Sequence, residues 1–214
     1  SINDHLETLW RGEVCRLDTL KMINPLTIKV GKSHPAWETG MFSRQATKEA
    51  ISKVRFLTDT MMNGQKENKM FNKSSECQCS HPLEDRFHLI LDCPIYQNIR
   101  EHCVSRMINL ITKSHPEITE SQIRERTNLG YLILDPSWFR WDIGSSGFSI
   151  PNKFSIEDAN TLEGYGRKFC FQIYKRRTEI ILSKECESES ETEDEDSYSV
   201  HDTTDDTSVS DTSE

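Results

Sequence analysis

Residues 76–100 read Glu76-Cys-Gln-Cys79-Ser-His81-Pro-Leu-Glu84-Asp-Arg86-Phe-His88-Leu-Ile-Leu-Asp92-Cys93-Pro94-Ile-Tyr96-Gln-Asn-Ile-Arg100. Within the 17 residues from Cys77 to Cys93 lie three thiols and the imidazole of His88, with His81 as a further one. Cys77, Cys79, His88 and Cys93 make up the ligand set of a closed tetrahedral zinc site. Leu89, Ile90 and Leu91 supply a small apolar floor behind them. Pro94 suits the first position of a following helix, where its missing N–H would have no partner anyway. The positive end of that helix favours thiolate at Cys93. The first pair is C-x-C rather than the commoner C-x-x-C, a tighter loop that still allows shared coordination. His81 is a spare imidazole that either replaces Cys79 or sits in solvent. The competing reading is ordinary free cysteines beside a chance histidine. Cys15, Cys103, Cys170 and Cys186 lack such neighbours, and Cys103 reads as a small core residue.

Outward from this string the chain reads as mainly α. Leu6, Leu9 and Trp10 have helical spacing, whereas Leu26-Thr-Ile-Lys-Val30 alternates like a strand. Ser33-His-Pro-Ala-Trp37 reads as a turn that Gly40 continues. A helix is expected from about Ser43 with Ala46, Ala50, Val54 and Leu57 on its inner stripe. Lys48, Lys53 and Arg55 fall off that stripe, as a solvated face or one that contacts phosphates. Residues 63–76 read as a polar loop. After Pro94, Ile95, Ile99, Cys103, Met107 and Leu110 form a stripe. Thr119 and Gln122 resemble a capping box for a short helix ending near Gly130. A last helix is expected from about Asp158 to Ser183, with Leu162, Tyr165, Phe169 and Ile180 inward and a late start because of Gly164 and Gly166. The organisation is thus 1–62, an N-terminal helical region; 63–134, the zinc segment and following helices; 135–157, an irregular connection; 158–184, the C-terminal helix; and 185–214, a tail.

The net charge of −9 is unevenly spread over the 214 residues. Residues 185–214 hold 13 acidic residues and no Lys or Arg, leaving 22 acidic against 26 basic in a mildly basic body. Such a tail cannot bury enough apolar surface to offset its chain entropy and is expected to be disordered. With 35% hydrophobic residues a single large core is not expected. No run of about 18 apolar residues is present to span a bilayer, and no signal-peptide pattern opens the chain. An odd count of seven cysteines then favours a reducing intracellular setting, nuclear or cytoplasmic, where clustered cysteines more often bind metal than pair. The chain opens on Ser1, as a fragment or processed piece would.

The string C-x-C, Glu84-Asp85, His88-Leu-Ile-Leu, Cys93-Pro94-x-Tyr96, Arg100 resembles the zinc-binding segment that follows the polymerase, and any ribonuclease H domain, of non-LTR retrotransposon reverse transcriptases. Residues 34–57 and Lys168-Phe-Cys-Phe171 with Arg176-Arg177 are similar to flanking regions of those polyproteins. The resemblance implies a zinc knuckle-like module that helps hold template RNA or target DNA during reverse transcription. It implies Cys77, Cys79, His88 and Cys93 as ligands. Glu84, Tyr96 and Arg100 match without an assigned catalytic role: Tyr96 is expected to pack, and Arg100 to contact phosphate or sit as a solvated helix charge.

Lys66, Lys69, Lys73, Arg86 and Arg100 surround the string, with Phe71, Phe87 and Tyr96 among them. Interleaved cations and aromatics suit single-stranded nucleic acid, and Lys69, Lys73, Arg86 and Arg100 are the candidate contacts. Nearby acidic residues make weak, salt-sensitive binding the expectation. No catalytic residues are expected. Asp205-Asp206, the only Asp-Asp pair, lies in the acidic tail rather than on an apolar hairpin, and no phosphate loop, nucleophile elbow or H-E-x-x-H occurs. The runner-up is a protein-interaction module whose acidic tail binds a basic partner, with zinc only structural.

Overall fold

The structure, a computed structural model, describes residues 2–38, 42–140 and 154–192. It is mainly helical, and no strand occurs among the described residues. The helices are α1 (Ile2–Arg16), α2 (Pro35–Glu38), α3 (Arg44–Leu57), α4 (Gly64–Phe71), α5 (Gln97–Ser114), α6 (Glu120–Arg124), α7 (Arg126–Leu134) and α8 (Ile156–Thr192). None is long and apolar enough to cross a membrane among the described residues. The chain divides into a body through Arg176 and a second unit from Arg177, which contains the distal part of α8.

Capping residues fix several starts as the sequence implies. Ser43 Oγ accepts from Ala46 N at the head of α3. Thr119 and Gln122 form a reciprocal capping box on α6. That helix stops at Glu125, and α7 carries the chain through Gly130 to Leu134, four residues past the expected end.

Other expectations are corrected. Leu26–Val30 is not a strand. Asn24 Oδ1 caps a tight turn at Pro25–Thr27, and side chains of α1 take the backbone groups a sheet would need: Val30 N donates to Glu7 Oε1 and Ile28 O accepts from Arg11 Nη2. Ser33–Trp37 winds into α2, whose Ala36 N donates to His34 Nδ1. The expected loop over 63–76 contains α4, capped by Asn63 and closed by Asn72 in the left-handed region at φ 54°. The irregular connection begins with a helical turn at Pro136–Arg140, and residues 141–153 lie outside those described. The start of α8 is early rather than late: Ser155 Oγ accepts from Asp158 N, and the glycines fall inside the helix. It also runs to Thr192, past the expected start of the tail, while residues 193–214 lie outside those described. Gly40 is likewise outside.

The core of the body joins Phe56 and Leu57 of α3, Leu89 and Ile90, Val104, Met107 and Ile111 of α5, Leu132–Leu134 of α7, and Leu162, Phe169 and Ile173 of α8. Each such side chain contributes about 1.5–3 kcal/mol on leaving water. The buried face of α5 is rotated slightly from the expected stripe: Cys103 and Met107 are buried, but Val104, Ile108 and Ile111 lie deeper than Ile95, Ile99 and Leu110. On α1 only Val14 is buried, leaving Leu9 and Trp10 exposed.

Cys103 and Cys170 sit in this core, and burial pushes each thiol from 9.0 up to about 12. The unfolded chain releases these protons near pH 9 while the folded chain keeps them, so stability is present below pH 9 and lost as pH rises toward 12. Each thiol should cost about 1 kcal/mol between pH 9 and 10 beyond the rest of the protein. Urea midpoints are expected to fall more steeply with pH in wild type than in Cys103→Ala/Cys170→Ala; equal slopes would refute the assignment.

Candidate metal centre

The four residues of the opening string come together. One ligand atom from each of Cys77, Cys79, His88 and Cys93 lies within 4.8 Å of all the others, and His81 is not among them. Cys77 Sγ is 3.7 Å from Cys93 Sγ, and Cys79 Sγ is 3.2 Å from His88 Nε2. A tetrahedron with Zn–S bonds of about 2.3 Å has S···S edges of about 3.8 Å and S···N edges of about 3.5 Å. Those two edges therefore match a small tetrahedral cation, and the four atoms as a set spread to as much as 4.8 Å.

Two short backbone devices build the site. The first is the loop Cys77–His81, where Ser80 adopts a left-handed φ of 66° and donates its N–H to Cys77 O at 2.8 Å. Cys77 N in turn donates to His81 O at 2.8 Å. This reversal lets a C-x-C pair turn both thiols inward without a second intervening residue. The other device is a wide π-type turn over His88–Asp92, closed by Cys93 N donating to His88 O at 2.7 Å. One extra residue in the turn brings His88 and Cys93, five apart in sequence, to the same side. Asp85 Oδ1 starts the turn by accepting from His88 N at 2.7 Å.

His81 is exposed and stacks on the His88 ring, with centroids 4.2 Å apart and planes 14° from parallel. Its Nδ1 is 2.9 Å from Leu83 O. It thus packs against one member of the four-residue cluster without being grouped in it. Glu84, buried, accepts from Gly64 N through Oε1 at 2.9 Å and so ties the positive end of α4 to the metal loop. The approach is close: a methyl on Gly64 would lie 2.9 Å from Ser75 O and 3.0 Å from Glu84 Cβ.

Burial pushes the Cys77 and Cys93 thiols up, and burial with the neighbouring His81 holds His88 low. Without a metal, burial thus favours the neutral forms of Cys77, Cys93 and His88. Metal binding must displace thiol protons, so affinity falls as pH falls. Arg100 supplies local positive charge: it is buried, and its Nη2 donates to Cys93 O at 3.1 Å.

Two of the four candidate nucleic-acid contacts are consequently internal. Arg86 is buried and donates from Nη1 to Thr19 O, Phe56 O and Leu57 O at 3.1–3.2 Å, the last two being carbonyls at the end of α3. Arg100 is neither a phosphate contact nor a solvated charge. In both cases desolvation is offset by backbone carbonyls, a pattern i,i+4 spacing does not reveal. Lys69 and Lys73 are exposed. Tyr96 is fully buried, as a packing residue should be.

Comparison with family models, curated proteins and solved structures finds no match to this chain.

Proposed function

We propose that this chain is a zinc-stabilised region that binds single-stranded nucleic acid and carries out no chemistry of its own. Zinc is the metal that three thiolates and one imidazole in a compact tetrahedral arrangement suit best. The four donors fill its coordination and leave no open position, which makes the centre structural. It joins the loop, the π-type turn and, through Glu84, the head of α4. The likeness of the Cys-His string to the retrotransposon segment supplies the setting: an appendage that helps a reverse transcriptase polyprotein hold RNA template or target DNA.

The observation carrying the nucleic-acid reading is at the end of α4. Phe71 and Met70 are 59% and 63% exposed, with Lys69 and Lys73 beside them in the chain. A solvent-facing ring among cations is what base stacking and backbone charge require. Filter binding of the zinc-loaded chain to single-stranded RNA and DNA at low salt tests it. Lys69→Glu/Lys73→Glu is expected to weaken binding about tenfold and to flatten the log-affinity against log-salt slope by about 1.4, at roughly 0.7 per single-strand phosphate contact. A wild-type chain without affinity at low salt would overturn the reading in favour of the protein-interaction module.

A further inference from the structure

Beside the metal turn lies a cleft of about 290 Å³, close to the lower end of small-ligand sites. Its apolar lining comes from Met22, Leu91 and Gly130, its aromatic lining from Phe87 and Tyr131, and its cations are Lys21 and Arg126. Phe87 immediately precedes the turn His88–Asp92 and Leu91 lies within it, so the cleft shares its wall with the metal centre. The far wall is braced: Trp138 stands edge-on to Tyr131 at 5.2 Å, and its Nε1 donates to Met22 O at 2.9 Å.

The charges decide what kind of ligand fits. Phe87 already has the Arg86 guanidinium 4.8 Å and the Lys21 ammonium 5.8 Å from its ring centre. That excludes the cleft as a cage for a cationic ligand, since the ring's attraction for positive charge is already engaged. Arg126 is paired with Asp92 at 2.9 Å, but the two side chains are 58% and 47% exposed. Such a pair contributes little, and a phosphate can displace the carboxylate without a large cost. An apolar slot with aromatic walls and two cations at hand matches a flat, uncharged ring attached to an anion.

We infer that this cleft receives one unstacked nucleotide of a bound single strand, the base lying against Phe87 and Tyr131 and its phosphate meeting Arg126 and Lys21. This rests on the nucleic-acid reading above and assigns it a second contact point, separate from α4. Because Asp92 directly precedes the ligand Cys93, releasing Arg126 from Asp92 also couples occupancy to the metal turn.

Gly130 provides a mild probe. A methyl there would meet Met22 Cε at 3.7 Å and Leu91 Cδ1 at 3.9 Å, ordinary contacts, so Gly130→Ala should fold while narrowing the cleft. The experiment titrates a labelled single-stranded oligonucleotide into zinc-loaded wild type, Gly130→Ala and Arg126→Glu, with thermal midpoints measured in parallel. A 4-thiouridine-substituted oligonucleotide is then photocrosslinked to wild type and the adducts mapped. The expected result is a fivefold or greater loss of affinity in both variants without loss of thermal midpoint, and adducts at Phe87 or Tyr131. Unchanged affinity in both variants, with adducts confined to residues 69–73, would overturn the cleft and leave the nucleic-acid reading standing. Absence of binding by wild type would overturn both.

Discussion

Cys93→Ser is expected to reduce bound zinc from about one ion per chain to a small fraction of that and to lower the thermal midpoint by about 10 °C or more. Cys93 is fully buried and holds three connections at once. Its Sγ lies beside Cys77 Sγ, its N–H closes the π-type turn onto His88 O, and its carbonyl receives the buried Arg100. Structural zinc in small modules is worth about 10–16 kcal/mol of folding free energy near neutral pH. Losing even a third of that in a domain of this size moves the midpoint by about 2–4 °C per kcal/mol. Chelator treatment of wild type should reproduce the variant, and Cys15→Ser, at an exposed thiol, should behave as wild type. Elemental analysis and thermal denaturation read both quantities. Metal-free wild type with a midpoint indifferent to chelator would remove the zinc centre, and with it the scaffold for the proposed binding surface.

The Cys-His cluster was legible because metal chemistry restricts residue type. Few arrangements other than coordination place Cys77, Cys79, His88 and Cys93 so close in sequence. Caps were legible for a related reason: Ser43 and the Thr119–Gln122 pair satisfy orphan N–H groups within their own turn, so the information is local. What the sequence concealed depends on distant partners. Leu26–Val30 has a strand's alternation, but α1 supplies side chains where a neighbouring strand was needed. The π-type turn of His88–Asp92 has no residue signature, since its extra residue is set by the two ligands it must bring together. Arg86 resembled a surface cation because its acceptors, Thr19 O, Phe56 O and Leu57 O, lie far away in sequence, and Arg100 did because nothing marks Cys93 O as an acceptor awaiting a donor. Propensity alone makes Gly164 and Gly166 a weak start for α8. Gly166 instead serves packing, since a methyl there would overlap Ile133 O and lie 2.8 Å from Lys53 Nζ.

That lysine gives the other large effect. Lys53, expected on the solvent side of α3, is fully buried, and its Nζ lies 2.6 Å from Glu163 Oε2 of α8. Lys53→Met keeps most of the stem's volume but strands the Glu163 carboxylate in the core. Removing one partner of a buried ion pair typically costs about 3–5 kcal/mol, far more than loss of a surface pair. The variant is therefore expected to unfold at markedly lower urea with an unchanged slope. Lys53→Met/Glu163→Leu removes both charges and should recover most of that loss, because the penalty comes from the uncompensated carboxylate rather than from lost attraction. A Lys53→Met unfolding free energy within about 0.5 kcal/mol of wild type would place the ammonium in solvent and return α3 to the orientation its stripe suggests. A double variant as unstable as the single one would instead mean that the attraction between the two charges, and not the stranded carboxylate, is what the single variant loses.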